Sequence, residues 1–216
     1  MKLLTEIANK YGTDKGTTFY PSHGFSEIYD DFFINKRNDV LKVLEIGIDK
    51  GNSLRMWRDY FPNAIIYGLD VQTHQFFTEE RIITSYANQS DIHDLNNFID
   101  EYGGDFDIII DDGGHDIIFQ QFTLGVLFKY LKPNGVYIVE DLHTSFLEDW
   151  LKDKDLEVTY EYTAYNTLKN FEINKELITP HIELENVEYI NRNTKSINIY
   201  DINGDNQHIT SILYKK

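Results

Sequence analysis

The sequence predicts a doubly wound α/β fold with a mostly parallel sheet, and three observations support it. Four apolar runs rich in Ile and Val have the length of strands, and none alternates strictly between apolar and polar residues. Segments of helical character separate these runs, as the crossovers of a parallel sheet require. Two strand-like segments around a polar turn lie near the C-terminus. We therefore expect a sheet that helices cover on both faces.

The elements can be placed in order along the chain. The four predicted strands are residues 40–48, 64–71, 106–112 and 135–141. Helices are predicted in "NSLRMWRDYF" after the first strand, in "DLNNFIDEYG" before the third, and in "DIIFQQFTLGVLFKYL" before the fourth, where the Pro and Gly of "KPNG" end the helix. The segments "KSINIYD" and "HITSILYKK" flank a turn containing Asn-Gly and are predicted to pair antiparallel.

The chain length predicts a single domain spanning residues 1–216, because 216 residues fit one α/β domain and no linker or repeat interrupts the pattern. Within it, residues 1–38 are predicted to form an N-terminal helical cap. Residues 143–185 form a variable segment, predicted to act as a lid or an oligomer contact; ordinary core is the alternative. That segment contains the aromatic residues Trp150, Tyr160, Tyr162 and Tyr165.

Composition restricts the partners and the compartment. The formal net charge is −16, so phosphate-backbone binding would begin against repulsion and no nucleic-acid partner is expected. There is no cysteine, which excludes disulfides, thiolate metal sites and a cysteine nucleophile. The N-terminus lacks an apolar run that could serve as a signal peptide or a membrane span. We expect a cytoplasmic protein with no membrane partner, and a homo-oligomer is left open.

The turn after the first strand, "LEIGIDKGNSL", indicates a ligand site. Gly47 and Gly51 let the backbone pass close to a ligand, Ser53 is positioned to cap the following helix, and Glu45 precedes the turn. The spacing does not match the G-x-G-x-x-G fingerprint of dinucleotide sites, which weakens a nicotinamide interpretation. Close packing of helix and strand is the purely structural alternative.

Acidic and amide residues at the next strand ends favour a nucleoside. Asp70 ends the second strand, where a carboxylate can accept both hydroxyls of a ribose. Gln89 and Asp91 lie in "ANQSD", the predicted position of an adenine ring. A ribose without a pyrophosphate suggests S-adenosylmethionine.

Two further acidic pairs follow the third and fourth strands. Asp112 and Glu140 are separated by one strand-helix-strand unit, so they can end adjacent parallel strands about 4.8 Å apart. Together with Asp141 they would repel one another, and a cation would remove that cost. Oxygen ligands favour magnesium or calcium. Capping of turns is the alternative for each aspartate alone, and Asp111 either borders the cofactor or orients the loop.

Five motifs together resemble one known family. "KYGTDKG", "LEIGIDKGNSLRMW", "YGLDV", "IDDGGH" and "VEDLHTS" look like those of the metal-dependent macrolide-sugar O-methyltransferases, the mycinamicin and tylosin deoxysugar enzymes, over residues 10 to about 145. The resemblance implies a Rossmann-like seven-stranded sheet with an antiparallel last strand, S-adenosylmethionine as methyl donor and Mg²⁺. It assigns the metal to Asp112, Glu140 and Asp141, and the catalytic base to His115. The additional N-terminal domain of the macrolide enzymes has no expected counterpart here.

The acceptor is expected to be a sugar that is free, nucleotide-linked or part of a glycoside. Its hydroxyl needs a proton acceptor, and imidazole is largely neutral at cellular pH. His143 is the rival to His115 as base. Tyr20 and His23 are predicted near the acceptor, together with His143. A catechol-type O-methyltransferase, a nicotinamide-dependent oxidoreductase and a non-catalytic sugar-binding module are the alternative functions.

Overall fold

The computed structural model describes residues 2–18, 23–147 and 160–216. Its centre is an eight-stranded sheet with the strand order β3-β4-β2-β1-β5-β6-β8-β7. The strands are β1 (Lys42–Ile46), β2 (Ile65–Asp70), β3 (Thr78–Glu79), β4 (Ile82–Tyr86), β5 (Phe106–Asp111), β6 (Leu131–Val139), β7 (Thr194–Asp201) and β8 (Ile209–Lys215).

The sheet has the predicted topology. β4, β2, β1, β5 and β6 pair in parallel, whereas β8 is antiparallel to both β6 and β7. The doubly wound α/β fold and the antiparallel ending are therefore confirmed. The two-residue strand β3 adds an eighth strand to the predicted seven by pairing antiparallel with β4 at the edge of the sheet.

Helices cover the two faces of the sheet. They are α1 (Leu3–Tyr11), α2 (Phe25–Phe33), α3 (Asn52–Tyr60), α4 (Ile92–Tyr102), α5 (Ile117–Leu127), α6 (Ala164–Asn174) and α7 (Leu184–Asn193). α1 and α2 occupy the segment predicted as a helical cap, and α6 lies in the segment 143–185. The single-domain organisation stays a prediction. None of the described helices is long and apolar enough to span a membrane.

The core explains why the strand sequences do not alternate. Successive residues of a strand point to opposite faces, and here both faces are covered. In β5, Ile109 packs into the cluster on one face, while Ile108 and Ile110 pack into the cluster on the other. All three side chains are fully buried. Burial of one such side chain contributes roughly 1.5–3 kcal/mol.

β4 was missing from the predicted strands. Its segment has only Ile82 fully buried, and Tyr86 is exposed, because its outer neighbour is the short β3. A strand near the edge of a sheet needs fewer apolar residues, so its sequence gives a weaker signal. β6 also begins at Leu131, earlier than predicted.

The strand register brings the site together. Ile46 of β1 pairs with Leu69 of β2 and with Asp111 of β5, and Asp111 pairs with Val139 of β6. The residues that follow these positions therefore leave the sheet along one edge. This carboxyl edge is where doubly wound proteins bind ligands.

Candidate functional site

The glycine turn between β1 and α3 is shaped by close contacts. Gly47 has φ +94°, and a Cβ atom there would overlap the backbone carbonyl of Asp112. Gly51, with φ +72°, is the N-cap of α3, and a Cβ there would overlap the ring of Phe77. Both positions therefore require glycine. Ser53 was expected to cap this helix, but the helix begins at Asn52, so the cap position belongs to Gly51.

Asp70 fixes this turn from the neighbouring strand. Its Oδ2 accepts a hydrogen bond from the backbone N–H of Ile48 at 2.9 Å. Its Oδ1 accepts one from the backbone N–H of Gln72 at 2.7 Å. Each carboxylate oxygen has a second lone pair, so Asp70 can still accept hydrogen bonds from a ligand.

The loop after β4 gives different roles to the two residues predicted near adenine. Gln89 is buried, donates to Asp111 Oδ1 at 3.2 Å and accepts from the backbone N–H of Gly114 at 2.6 Å. Asp91 is instead the N-cap of α4, where its side chain accepts from the backbone N–H of His93 at 2.8 Å. Asp91 lines neither of the two cavities at this edge of the sheet, and its contact with adenine stays a prediction.

Two cavities meet at the carboxyl edge of the sheet. The larger, about 340 Å³, lies between the glycine turn, the N-terminal segment and the β5 loop, and is lined by Gly12, Thr13, Asp14, Gly47, Ile48, Asp49, Lys50, Asn52, Ser53, Asp70, Gln72, Asp112, Gly113 and His115. The smaller, about 190 Å³, is lined by Ile46, Gly47, Leu69, Asp70, Val71, Gln72, Ala87, Asn88, Gln89, Gly113, Gly114 and Phe119.

The two cavities differ in chemistry and share a border. Gly47, Asp70, Gln72 and Gly113 line both of them. The smaller cavity carries most of the apolar side chains, and the larger carries most of the charged ones. Glu45 and Asp111 line neither cavity, because both side chains are buried behind the turn. Their predicted contact with a cofactor therefore stays a prediction without support from the cavity walls.

The predicted metal ligands do not all face the same way. Asp112 lines the larger cavity, and its Oδ2 contacts the ammonium of Lys15. Glu140 is only 1% exposed, accepts from Lys15 Nζ at 2.8 Å through Oε2 and from the Tyr29 hydroxyl at 2.9 Å through Oε1. Both oxygens of Glu140 thus have protein partners. Its role as a metal ligand stays a prediction.

Asp141 is surrounded by imidazoles. Its Oδ1 lies 2.9 Å from His23 Nδ1 and 3.7 Å from His143 Nδ1, and its Oδ2 lies 3.5 Å from His115 Nε2. The ring of His208 lies 4.9 Å from that of His23 between centroids. The structure therefore brings His23, His115 and His143 together. Tyr20, also predicted near the acceptor, lies outside the described residues.

Burial and charge divide the carboxyl groups. Burial raises the pKa of Asp111 to about 7, and burial raises the pKa of Glu45 to about 7 despite the opposing charge of Lys15. Burial also raises the pKa of Glu140 and Asp112. At Asp141 burial is outweighed by His23 and the other imidazoles, so the pKa of this carboxyl lies well below its usual range.

The histidines respond to the same surroundings. Burial lowers the pKa of His143, whereas at His23 the contact with Asp141 outweighs burial and raises the pKa. Asp141 is therefore ionised at neutral pH. Its carboxylate can bind a cation or stabilise an imidazolium that forms beside it.

The donor atoms fit a divalent metal ion. Asp112, His115 and Asp141 each offer one ligand atom, and these atoms lie within 4.8 Å of one another. Two carboxylates supply the hard oxygen ligands that Mg²⁺ prefers. His115 belongs to this group and lines the larger cavity. His143 does neither.

Several residues of the site escaped the sequence analysis. Lys15 and its neighbours Gly12, Thr13 and Asp14 belong to "KYGTDKG", which was recognised only as part of the resemblance. A Gly-Thr-Asp-Lys segment after a helix gives no periodic signal, so its contacts with β5 and β6 could not be derived. Of the segment 143–185, Trp150 lies outside the described residues, and Tyr165 packs against Phe146 with centroids 4.8 Å apart.

The fold is the Rossmann-like α/β fold of the methyltransferases. No family model matches the chain. It is 37% identical over 150 residues to mycinamicin VI 2''-O-methyltransferase of Micromonospora griseorubida, an alignment covering 66% of this chain and 37% of that protein. It is 36% identical over 159 residues to demethylmacrocin O-methyltransferase of Streptomyces fradiae, covering 70% and 39% of the two chains.

A solved structure matches nearly the whole chain. The MycE methyltransferase of the mycinamycin biosynthetic pathway, in complex with Mg, SAH and mycinamycin VI, has a TM-score of 0.77 and 30% identity, covering 98% of this chain and 54% of that one. The chain is homologous to the macrolide-sugar O-methyltransferases, and the predicted resemblance is confirmed. It spans 37–39% of the length of the two curated relatives.

Proposed function

We propose that this protein is an S-adenosylmethionine-dependent, Mg²⁺-dependent O-methyltransferase that acts on a sugar hydroxyl. One observation carries the proposal. Asp112 and His115, two of the three possible metal ligands, line the same cavity as Gly47 of the glycine turn and Asp70 at the end of β2. A methyl donor, a metal and a proton acceptor would thus share one space.

The two joined cavities supply a seat for the methyl donor. The apolar walls of the smaller cavity suit an adenine ring, with Gln89 at its border. Asp70 lies where the cavities meet and has free lone pairs for the ribose hydroxyls. Ser53 and Asn52 offer polar groups to the methionine end in the larger cavity.

Asp112 and Asp141 would hold the metal ion. When bound, magnesium lowers the pKa of a coordinated hydroxyl and orients it. The ionised state of Asp141 favours a cation at this position, since its pKa is held below the usual range. Glu140, the third ligand that the resemblance implies, lies directly behind them and is bound by Lys15 and Tyr29.

His115 is the base in this proposal. Its Nε2 would take the proton of the acceptor hydroxyl while the methyl group moves. Asp141 Oδ2, 3.5 Å from this nitrogen, would stabilise the imidazolium that forms. His115 has φ +52°, follows two glycines and lines the larger cavity.

The acceptor is proposed to be a sugar or glycoside, because the curated relatives are O-methyltransferases that act on sugars of macrolides and tetracenomycin. Two neighbouring hydroxyls are proposed on it, because they could replace two waters on a magnesium ion. His23 and His143 both contact Asp141, a proposed metal ligand, which supports their place near the acceptor. A cytoplasmic location, the lack of a nucleic-acid partner and homo-oligomerisation stay predictions.

Two experiments test the proposal. Calorimetric titration with S-adenosylhomocysteine, NADH and NADPH should show binding of the first alone; binding of a nicotinamide cofactor alone would favour the oxidoreductase. A mass-spectrometric screen with S-adenosylmethionine and Mg²⁺ should then show the gain of one methyl group on nucleotide sugars or glycosides. Transfer to aromatic diols but not to any glycoside would move the protein to the catechol-type enzymes.

A further inference from the structure

Lys15 is a fully buried lysine at the carboxyl edge of the sheet. Its side chain is 1% exposed. Its ammonium contacts Asp112 Oδ2, lies 2.8 Å from Glu140 Oε2 and lies 3.3 Å from Glu45 Oε1. These three carboxylates belong to β1, β5 and β6 or to the residues that follow them, so a single cation joins three neighbouring strands.

The main chain around Lys15 is held in place on both sides. The Lys15 carbonyl accepts from the backbone N–H of Ser26 at 2.9 Å, and the backbone N–H of Gly16 donates to Thr13 O at 3.1 Å. These contacts tie the residue to the helix α2 and to the end of α1. The position of the ammonium is therefore set by the fold and not by a flexible surface chain.

The burial of this cation has an electrostatic reason. Burial by itself favours a neutral lysine, but carboxylate oxygens of Asp112, Glu140 and Glu45 surround the ammonium and offset that cost. Conversely, without this ammonium the buried carboxylates of Glu45 and Glu140 would be left uncompensated, which is costly. The ammonium is thus a cation that the protein itself supplies.

The ammonium and a metal ion would draw on the same oxygen atoms. Asp112 belongs to the group of three possible ligands, and the resemblance also assigns Glu140 to the metal. Both are already bound by Lys15. A divalent ion nearby would be repelled by the ammonium. It would also be attracted less strongly by the carboxylates, because the ammonium already neutralises part of their charge.

We propose that Lys15 is a built-in counter-ion that stabilises the strand-end carboxylates when no metal is bound and lowers the affinity of the site for a divalent cation. Its effect on affinity rests on the metal site of the proposed function. The site then keeps its shape without metal, and the ion remains exchangeable.

The test compares Lys15→Met, Lys15→Arg and wild type, with Lys10→Met as the matched control. Lys10 lies in α1, is largely exposed and pairs with Asp59. The thermal midpoint is measured in chelator and over a Mg²⁺ titration, and Mn²⁺ affinity is measured by electron paramagnetic resonance. Neither readout requires activity.

Lys15→Met should melt below wild type in chelator, gain more from Mg²⁺ and bind Mn²⁺ about tenfold more tightly. Lys15→Arg, which keeps the charge, and Lys10→Met should bind Mn²⁺ as wild type does. If wild type binds Mn²⁺ and Lys15→Met binds it no more tightly, the proposal for Lys15 is overturned, while the metal site stands. If wild type binds neither ion, the metal site fails, and the affinity effect fails with it.

A second pair covers the case in which Lys15→Met does not fold. Glu140→Gln removes one buried carboxylate, and the double variant Lys15→Gln/Glu140→Gln removes the ammonium as well. The double variant should bind Mn²⁺ more tightly than Glu140→Gln alone. Equal or weaker binding would overturn the proposal.

Discussion

The two halves of the site are built by different forces. The half formed by β1, β2 and β4 is shaped by backbone geometry, with Gly47 in close contact with the chain and Asp70 binding two backbone N–H groups. The half formed by β5 and β6 is shaped by charge, with Lys15 and the imidazoles around buried carboxylates. The first half should tolerate changes in pH and metal, whereas the second should depend on both.

Removal of the metal should have the largest effect, and that effect should be confined to the half formed by β5 and β6. Excess chelator should abolish methyl transfer, and added Mg²⁺ should restore it. The affinity for S-adenosylhomocysteine should stay near that of the untreated protein, because the glycine turn contains no predicted metal ligand. Full activity in chelator, with no metal in the purified protein, would show that the charged half works without an ion.

Replacement of the base comes next. His115→Gln should lower the rate of methyl transfer by roughly 100-fold or more, which is the usual contribution of a general base. Cofactor affinity, measured by calorimetry, should be unchanged. His143→Gln is the matched control, since His143 also faces Asp141 but does not line the larger cavity. If His143→Gln alone loses turnover, the base is His143.

The geometric half is tested through Asp70. Asp70→Ala should weaken S-adenosylhomocysteine binding by about 1–3 kcal/mol, the cost of leaving polar groups unpaired. Asp91→Ala is the control, because Asp91 caps α4 away from the cavities. It should lower stability by about 1 kcal/mol without changing cofactor affinity. A dissociation constant that responds to Asp91 and not to Asp70 would reverse the two roles.

A smaller effect concerns the buried Asp111 and the pH dependence of stability. Burial raises the pKa of this carboxyl to about 7, above its value in an unfolded chain, so the folded state binds more protons between about pH 4 and pH 7. The contribution is therefore favourable at low pH and is lost as the pH rises through this window.

The variant Asp111→Asn tests this pH dependence, because an asparagine side chain does not bind or release a proton in this pH range. Between pH 5 and pH 8, wild type should lose roughly 2–3 kcal/mol more unfolding free energy than the variant, because about two pH units lie below the folded pKa of about 7 and each corresponds to about 1.4 kcal/mol. Urea unfolding at both pH values measures the difference, and the other carboxyl groups cancel in the comparison. If the unfolding free energies of wild type and variant change equally with pH, Asp111 is ionised in the folded protein over this range.

The predictability of the two halves follows the same division. The glycine turn and Asp70 were predicted because their roles depend on neighbouring residues in sequence and on the ends of strong apolar strands. Lys15 was missed because its partners Asp112 and Glu140 lie 97 and 125 residues away along the chain. No local pattern records which carboxylates a single lysine will meet.

Local polar chemistry does not separate two uses that are equally compatible with one residue. Asp91 has the sequence context of an adenine ligand and equally that of a helix N-cap; the structure shows the N-cap, and the contact with adenine stays a prediction. Ser53 was expected as a cap, yet a glycine with positive φ takes that position. Both outcomes depend on where the first turn of a helix begins, which sequence fixes poorly.

The position of β8 has a consequence for folding. This strand follows β7 in sequence but lies between β6 and β7 in the sheet. Until β8 docks, β6 has an open edge and β7 has no partner on the sheet. An open edge of this kind attracts other strands. Docking of this one strand therefore covers the edge of β6 and attaches β7 to the sheet.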